Sequence, residues 1–312
     1  MDTPVILTVA LNAALDVTYS IDAELRPHAT YRVGTVAEMP GGKALNTARI
    51  LHTLRDPVLA TGLLGGHTGE RIAERIPAGL RHRFVRVDGE SRRALVVADP
   101  ADATGFWEPG PEITSEEWQR FRDRFDGLLR VARVVVLSGS LPQGLPVDAY
   151  AQLVAAARDR GVTTILDCDG EALRAALPQR PDVIKPNAHE LAAAVPDADL
   201  STVDGIRKAA ETLRAAGARA VIASLGPDGL LAVLPDAAFT AAPPETVSGN
   251  PTGAGDACVA GLARGVLYDT GWPTRLTDAV ALSAAAVRSP VAGRVDVTDY
   301  LTLRHHIHLK EL

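Results

Sequence analysis

The chain has 312 residues, of which 46% are hydrophobic and 22% charged, which is typical of a globular protein with one large α/β domain or two small ones. Its net charge of −6 gives no reason to expect a nucleic acid or an anionic membrane as a partner. Cys168 and Cys258 make no disulfide framework, and neither a signal peptide nor a spanning apolar run is evident, so a cytoplasmic location is expected.

The first predicted strand is the apolar, β-branched run Val5–Ala10. Asn12 and Asp16 follow it, at the end of the strand where open parallel sheets bind ligands, although Asp16 could equally be a turn residue. Short strands are also predicted at residues 17–20 and 31–33, where apolar and polar side chains alternate.

A glycine pair, Gly41 and Gly42, precedes a predicted amphipathic helix that begins near Lys43. Lys43 and Asn46 are three residues apart on its first turn and therefore share a face. The glycines let a ligand approach the backbone closely. The stretch is not a Walker P-loop, because Ala44 stands where that motif has Ser or Thr.

The next segment contains turns and short strands. A glycine-rich turn at residues 62–69 lacks the spacing of a dinucleotide-binding fingerprint. Residues 83–99 alternate around Asp88-Gly89, which predicts a hairpin. Arg92 within this segment could bind a phosphate bidentately or be an ordinary solvated strand residue.

After a helix-capping signal at Thr114–Glu117, strands and helices alternate regularly as far as residue 229. This alternation predicts a parallel sheet covered by helices on both faces. Each predicted strand ends in polar residues, namely Ser138, Ser140, Asp167, Lys185, Asn187 and Ser224. Any one of them could be a turn residue, but six along the same rim of a sheet favour a functional site.

The stretch Gly249–Leu262 combines a turn of small residues with the start of a buried helix. Gly253 and Gly255 let successive N–H groups, and then the first N–H groups of the helix, point one way and form a cup for negative charge. Asp256 beside this cup suits a base that takes a proton from a hydroxyl attacking a phosphoryl group. Asp is also common near helix starts, so the motif alone leaves both interpretations open.

The rest of the chain is predicted to be helical at residues 255–267 and 276–288 and again from Thr298. Three histidines near the end, His305, His306 and His308, lack the carboxylate or Cys company of a metal site. They are interpreted as a polar helix end.

Taken together, the motifs resemble those of the PfkB, or ribokinase-like, carbohydrate kinases, in the branch of 1-phosphofructokinase, tagatose-6-phosphate kinase and the minor 6-phosphofructokinase. The resemblance covers nearly the whole chain, in the right order. The motifs that carry it are Leu11–Asp16 (LNAALD), Gly41–Arg49 (GGKALNTAR), Gly62–Gly69 (GLLGGHTG), Leu137–Gly144 (LSGSLPQG), Lys185–Leu191 (KPNAHEL), Ser224–Gly229 (SLGPDG) and Asn250–Ala257 (NPTGAGDA).

The resemblance implies an α/β fold with a Rossmann-like three-layer parallel sheet core and a small β-sheet lid. It implies a single kinase domain over residues 1–312, with lid strands inserted at about residues 12–38 and 84–110. In this family the lid often pairs subunits, so a homodimer is expected.

The implied reaction is transfer of the ATP γ-phosphoryl group to a hydroxyl of fructose 1-phosphate, tagatose 6-phosphate or fructose 6-phosphate. By resemblance, Asp256 would be the base, and the backbone N–H groups of Gly253, Ala254 and Gly255 would be the anion hole. ATP would be bound by Lys185, Asn187, Ser224, Gly226, Gly229 and Thr252. Mg²⁺ would be oriented through water by Asn187 and Glu190. The sugar phosphate would be bound by Asp16, Arg32, Gly42, Lys43, Asn46, Arg92 and Ser140.

The chain departs from the branch at Ala13 and Ala94, where Pro and Asn are the usual residues, and at Gly105, where some relatives have Arg. The stretch Trp107–Glu112 and the Asn-Pro pair at 250–251 lean toward the tagatose-6-phosphate kinase pattern. The choice of sugar phosphate therefore stays open.

Three alternatives compete with a phosphosugar kinase. A kinase for an unphosphorylated sugar or a nucleoside would need few cations near the sugar, whereas Arg32, Lys43 and Arg92 are present. A sugar-binding regulator would show a broken base or anion cup, but both are intact. A nicotinamide dehydrogenase would need the glycine fingerprint and the acidic residue that follows it, and these are missing.

Overall fold

The strand β1 (Val5–Ala10) is buried along its whole length and lies near the middle of a large sheet. Its side chains alternate between two apolar cores, with Ile6 and Ala10 in one and Val5, Leu7 and Val9 in the other. A strand that is apolar on both sides requires cover on both sides, so β1 dictates a layered architecture. The computed structural model describes residues 4–289, 291 and 293–312.

Within the described residues the large sheet has ten strands. In spatial order they are β14 (His308–Glu311), β13 (Ala238–Ala242), β12 (Leu230–Val233), β11 (Ala220–Ser224), β10 (Val183–Ile184), β9 (Thr163–Asp167), β8 (Ala132–Ser138), β1, β4 (Val58–Gly65) and β5 (Arg81–Val87). The seven strands from β11 to β5 run parallel, and β12, β13 and β14 extend the sheet in antiparallel fashion.

Helices cover both faces of this sheet. One core is formed with α1 (Lys43–Thr53), α2 (Gly66–Arg75), α8 (Ala254–Leu267), α9 (Trp272–Arg288) and α10 (Val297–Arg304). The other is formed with α3 (Ser115–Leu129), α4 (Ala149–Asp159), α5 (Gly170–Ala176), α6 (Ala188–Ala194) and α7 (Val203–Ala215). The expected three-layer α/β fold is therefore confirmed.

A second, four-stranded sheet forms the lid. Its order is β3 (Thr35–Gly41), β2 (Ala14–Ser20), β6 (Arg92–Ala98) and β7 (Ala103–Trp107). Strand β2 runs antiparallel to β3 and parallel to β6, a register that places Ala14 opposite Arg92 and Asp16 opposite Ala94.

Three local expectations were wrong. The hairpin across Asp88-Gly89 does not form, because β5 pairs with β4 in the large sheet whereas β6 enters the lid. The strand expected at residues 31–33 instead spans Thr35–Gly41. The C-terminal histidines are not all at a helix end, since His308 begins the edge strand β14.

The capping signal at Thr114 was correct. The Thr114 side chain accepts a hydrogen bond from the Glu117 amide, and the Glu117 carboxylate accepts one from the Thr114 amide. None of the described helices combines the length and apolar character needed to cross a membrane.

Helices α8 and α9 are packed unusually closely at Gly261. A Cβ built there would lie 2.6 Å from both the Cα and the backbone N of Ala279, so the helices would have to separate. We expect Gly261→Ala to lower the free energy of unfolding by about 1–3 kcal/mol through overpacking, despite the better helix propensity of Ala.

Gly127 on α3 is the matched control, because a Cβ there would have no atom within 4 Å. Gly127→Ala should raise the free energy of unfolding by up to about 1 kcal/mol. Urea unfolding of the two variants beside the unmodified chain measures both effects. Equal effects of the two substitutions would contradict the close approach of α8 and α9.

Candidate active site

A cavity of about 1290 Å³ opens at the carboxyl ends of the parallel strands, between the large sheet and the lid. Its wall includes Ala10 at the end of β1, Ser138 of β8, Asp167 of β9 and Lys185 just after β10. All six polar rim residues expected at the strand ends line it. The parallel arrangement of the strands brings them together, as the alternation of strands and helices predicted.

Asp256 lies in the first turn of α8, which begins after Gly253 in the left-handed conformation (φ 87°). The side chain is buried, yet it lines the cavity. Asn46 Nδ2 donates to Asp256 Oδ2 at 2.8 Å, and Thr47 Oγ1 donates to the main-chain O of Asp256 at 3.1 Å. Helix α1 thus holds both the side chain and the backbone of Asp256.

The pKa of Asp256 is raised to about 7. Burial is the main cause, and the nearby Asp167 carboxylate adds to it. Asn46, Lys43 and Lys185 act in the opposite direction. A carboxyl that titrates near neutral pH is well suited to accept a proton and release it in each turnover.

The turn that precedes α8 is partly as expected. Gly253, Ala254 and Gly255 all line the cavity. The Ala254 amide, however, donates to the main-chain O of Pro251 at 3.1 Å. Its use for an anion therefore requires that this bond be shared or broken.

A row of charges crosses the floor of the cavity. Asp167, itself buried, lies 3.2 Å from Lys43 Nζ and 3.4 Å from Lys185 Nζ, and Lys43 Nζ is 3.4 Å from Glu190 Oε1. Burial is the largest single influence on the pKa of Lys185 and lowers it, but Asp167, Cys258 and Glu190 together raise it, and the net shift is upward. Both lysines are therefore cationic at neutral pH, since the net shift of the Lys43 pKa is also upward. Lys185 borders the turn before α8, because a Cβ built on Gly255 would lie 3.5 Å from its Nζ.

Asn187 and Glu190 form a capping box at the start of α6. Asn187 Oδ1 accepts from the Glu190 amide and Glu190 Oε2 accepts from the Asn187 amide, both at 2.8 Å. The described residues contain no group of three or more His, Cys, Asp or Glu side chains arranged for a metal. A Mg²⁺ ion fits here only if water and phosphate oxygens complete its shell, which is its usual preference.

The lid supplies the opposite wall. Asp16 of β2 has its pKa raised to about 6, chiefly by burial, with Arg49 and Arg92 opposing the shift. Arg92 Nε donates to the main-chain O of Asn12 at 3.0 Å, and Asn12 Nδ2 donates to Ser140 Oγ at 3.1 Å. Cationic, anionic and neutral polar groups therefore converge at one end of the cavity.

Most residues that the sequence singled out meet in this cavity. The cavity wall includes all but one of the residues expected to bind the sugar phosphate, namely Asp16, Gly42, Lys43, Asn46, Arg92 and Ser140. It also includes the residues expected to bind ATP, namely Lys185, Asn187, Ser224, Gly226, Gly229 and Thr252. Arg32 is exposed and lies outside the cavity wall of its own chain. Glu190 is also outside the wall and contacts the wall residues Lys43 and Asn187.

Other residues of the site carried weaker signals in the sequence. Asn12 and Asp167 are polar residues at strand ends, but their spacing indicated no specific role. Val280, Ala284 and Val287 of α9 form an apolar part of the wall. They were missed because an apolar helical face facing a cavity has the same sequence pattern as one facing the core.

Comparisons with known proteins agree with this geometry. A family model for the pfkB family carbohydrate kinases matches residues 9–297. Phosphofructokinase-2 from Escherichia coli, in complex with potassium, is 27% identical at a TM-score of 0.90, over 97% of this chain and 99% of that one. A possible 1-phosphofructokinase from Thermotoga maritima is 26% identical at a TM-score of 0.89, over 99% of each chain.

A more distant relative shares the fold alone. Arabidopsis thaliana ribokinase, complexed with ribose and ATP, is 20% identical at a TM-score of 0.75, over 97% of this chain and 99% of that one. The family match spans most of the chain, and the cavity holds the two glycine motifs that suggested it. The chain therefore belongs to the PfkB family of carbohydrate kinases and is an ATP-dependent sugar kinase.

Proposed function

We propose that the protein transfers the γ-phosphoryl group of ATP to a hydroxyl of a ketohexose phosphate, which is fructose 1-phosphate, tagatose 6-phosphate or fructose 6-phosphate. The observation that carries this proposal is the position of Asp256. Its carboxyl lines the cavity at the start of α8, 2.8 Å from Asn46, in the wall that also contains Lys185 and Arg92. A base, an anion site and a second set of cations thus face one space.

In the proposed reaction Asp256 accepts the proton of the substrate hydroxyl as its oxygen attacks the γ-phosphorus. The bond from that phosphorus to the bridging oxygen breaks, and ADP leaves with the electron pair. The amides of Gly253 and Gly255, together with Lys185, stabilise the negative charge on the phosphoryl oxygens. Ser224, Gly226, Gly229 and Thr252 border the space proposed for the nucleotide.

Mg²⁺ is proposed to bind the ATP phosphates, with Asn187 and Glu190 orienting its water ligands. When bound, the ion would neutralise phosphate charge. The capping box holds both side chains in place through Asn187 Oδ1 and Glu190 Oε2, while Glu190 Oε1 lies 3.4 Å from Lys43 Nζ.

Two features support a phosphorylated substrate. Arg92 and Lys43 place cationic groups in the same wall as Asp16 and Asn46. The solved structures that resemble the chain include E. coli phosphofructokinase-2 in complex with fructose-6-phosphate, 27% identical at a TM-score of 0.86. The experiment that tests the choice is ATP consumption with each of the three ketohexose phosphates and with free hexoses. A higher kcat/KM for a free hexose or a nucleoside would reject the proposal.

Two chains are proposed to pair through the lid. The lid exposes large apolar side chains, with Val36 at 57%, Phe106 at 55% and Trp107 at 68% of their full accessibility. Such a surface favours association. Sedimentation of the purified protein as a monomer at micromolar concentration would reject this pairing.

Asp256→Asn should lower kcat by about 10³-fold or more, because the amide cannot accept the proton, while ATP still binds. In the unmodified enzyme kcat/KM should rise with pH through an apparent pKa near 7, because the base acts only when ionised. The residual activity of the variant should lack this rise. Turnover within tenfold of the unmodified enzyme would remove Asp256 as the base.

Arg92→Ala should raise the KM for the sugar phosphate roughly tenfold to a hundredfold and leave the KM for ATP nearly unchanged, because one charged contact to the sugar phosphate is lost. Arg93→Ala is the matched control. That side chain is exposed and pairs with Glu108 at 2.7 Å, so neither KM should change. Equal increases in both KM values for Arg92→Ala would move Arg92 out of the sugar site.

A further inference from the structure

Behind Asn46, on the side away from the cavity, lies the buried guanidinium of Arg49. The two residues are three apart on α1 and share a face, and each is about 5–6% exposed. Arg49 Nη2 donates to Asn46 Oδ1 at 3.0 Å, and Arg49 Nη1 donates to the main-chain O of Pro40 at 2.8 Å. The guanidinium is thus held between the lid strand β3 and the side chain of Asn46.

The contact decides which way the Asn46 amide faces. An amide has an accepting oxygen and a donating nitrogen of similar shape, whereas a guanidinium only donates. Arg49 therefore binds the oxygen and leaves Nδ2 directed at Asp256 Oδ2, 2.8 Å away. With the amide reversed, its oxygen would face the carboxylate and its nitrogen would face the guanidinium, and both contacts would be repulsive.

The backbone at Gly293 closes over the pair. A Cβ built on Gly293 would lie 2.4 Å from Arg49 Nη2 and 2.7 Å from Asn46 Oδ1. The described residues that line the cavity include Asn46 and Asp256 but not Arg49. Arg49 therefore acts on the cavity from behind its wall, through the hydrogen bond to Asn46 and through its charge.

Charged groups of both signs surround these contacts. Arg49 faces Asp16 of the lid and Arg294, and its charge also interacts with Asp256. Asp256 in turn faces Asp167, Lys43 and Lys185 from the other elements packed around it. Arg49 thus provides positive charge behind both carboxyls of the cavity.

We propose that Arg49 is a positioning residue for the reaction: it orients the Asn46 amide, which fixes one oxygen of Asp256 and turns the other toward the substrate hydroxyl. This inference rests on the proposed role of Asp256 as base. Neither the glycine motif nor the lining of the cavity assigns a role to Arg49.

A double-mutant cycle tests the inference, with Arg49→Met and Asn46→Ala made singly and together. Arg49→Met keeps the length and apolar stem but removes the donors. It should lower kcat roughly tenfold to a hundredfold, the effect of losing a charge-assisted hydrogen bond, and change the KM for ATP less than about threefold. In the Asn46→Ala background the same change should lower kcat by less than about threefold, because the Asn46 amide through which Arg49 acts is already absent.

Arg264→Met is the control for a purely structural loss. Arg264 is on α8, the helix of Asp256, and pairs with buried Asp56 at 2.8 Å. Arg264→Met should lower the melting temperature about as much as Arg49→Met does, and it should leave kcat unchanged. If Arg49→Met does not fold, Arg49→Lys is put through the same cycle, because it keeps the charge and one donor.

Three outcomes would overturn the inference. They are a kcat for Arg49→Met within about threefold of the unmodified enzyme, an equal fall in kcat in both backgrounds, and a fall in kcat for Arg264→Met that matches that of Arg49→Met. Failure of the proposed function has a different signature, which is retained turnover in Asp256→Asn.

Discussion

The site depends on one costly arrangement, a carboxyl buried at the start of a helix and held there by an amide from another helix. Burial by itself would leave Asp256 protonated, and its pKa of about 7 reflects that cost. The hydrogen bond from Asn46 offsets part of it and gives the carboxyl a fixed direction. Helices α1 and α8 must therefore keep their mutual position to within a fraction of an ångström for this hydrogen bond to persist.

Several contacts secure that position. Thr47 binds the backbone of Asp256, and Ser283 Oγ of α9 donates to the main-chain O of Ala254 at 2.9 Å. Gly261 allows α9 to lie directly against α8. The first turn of α8 is thus fixed from two sides, which suits a turn whose amides are proposed to bind a phosphoryl group without rearrangement.

The charged groups on the cavity floor balance one another in the same way. Asp167 lies between Lys43 and Lys185, so that two buried or half-buried ammonium groups share one carboxylate. Glu190 supplies a second carboxylate to Lys43, so the two lysines face two carboxylates. This pairing limits the cost of burying the lysines and holds them in place along the cavity floor.

Much of this could be predicted from the sequence because the signals were local. The glycines around Lys43 and Asp256 and the regular alternation of strands and helices placed the rim residues correctly. The expected capping box at Thr114 formed because its partners are three residues apart. Fold class and the meeting of the two glycine motifs both followed from such short-range patterns.

The errors arose where partners are distant in sequence. Nothing near Asp88-Gly89 reveals that β5 already pairs with β4 and that the next strand belongs to the lid. Arg49 and Asn46 lie within one turn of the same helix, so their contact could be expected from the sequence. The role proposed for the contact depends on Asp256, which is 210 residues from Asn46. The sequence analysis missed the antiparallel strands β12 to β14. They add to the edge of a sheet whose other strands come earlier in the chain, so their pairing is not visible in the local sequence.

Both borders of the large sheet are rich in charge. The outer strand at one border is β14, with His308, Lys310 and Glu311, and at the other it is β5, with Arg81, Arg83 and Arg86. Adding another strand to either border would bring like charges together or strip them of water. A sheet this broad can thus remain discrete at high concentration and resist fibril-like growth, so that self-association is left to surfaces elsewhere on the molecule.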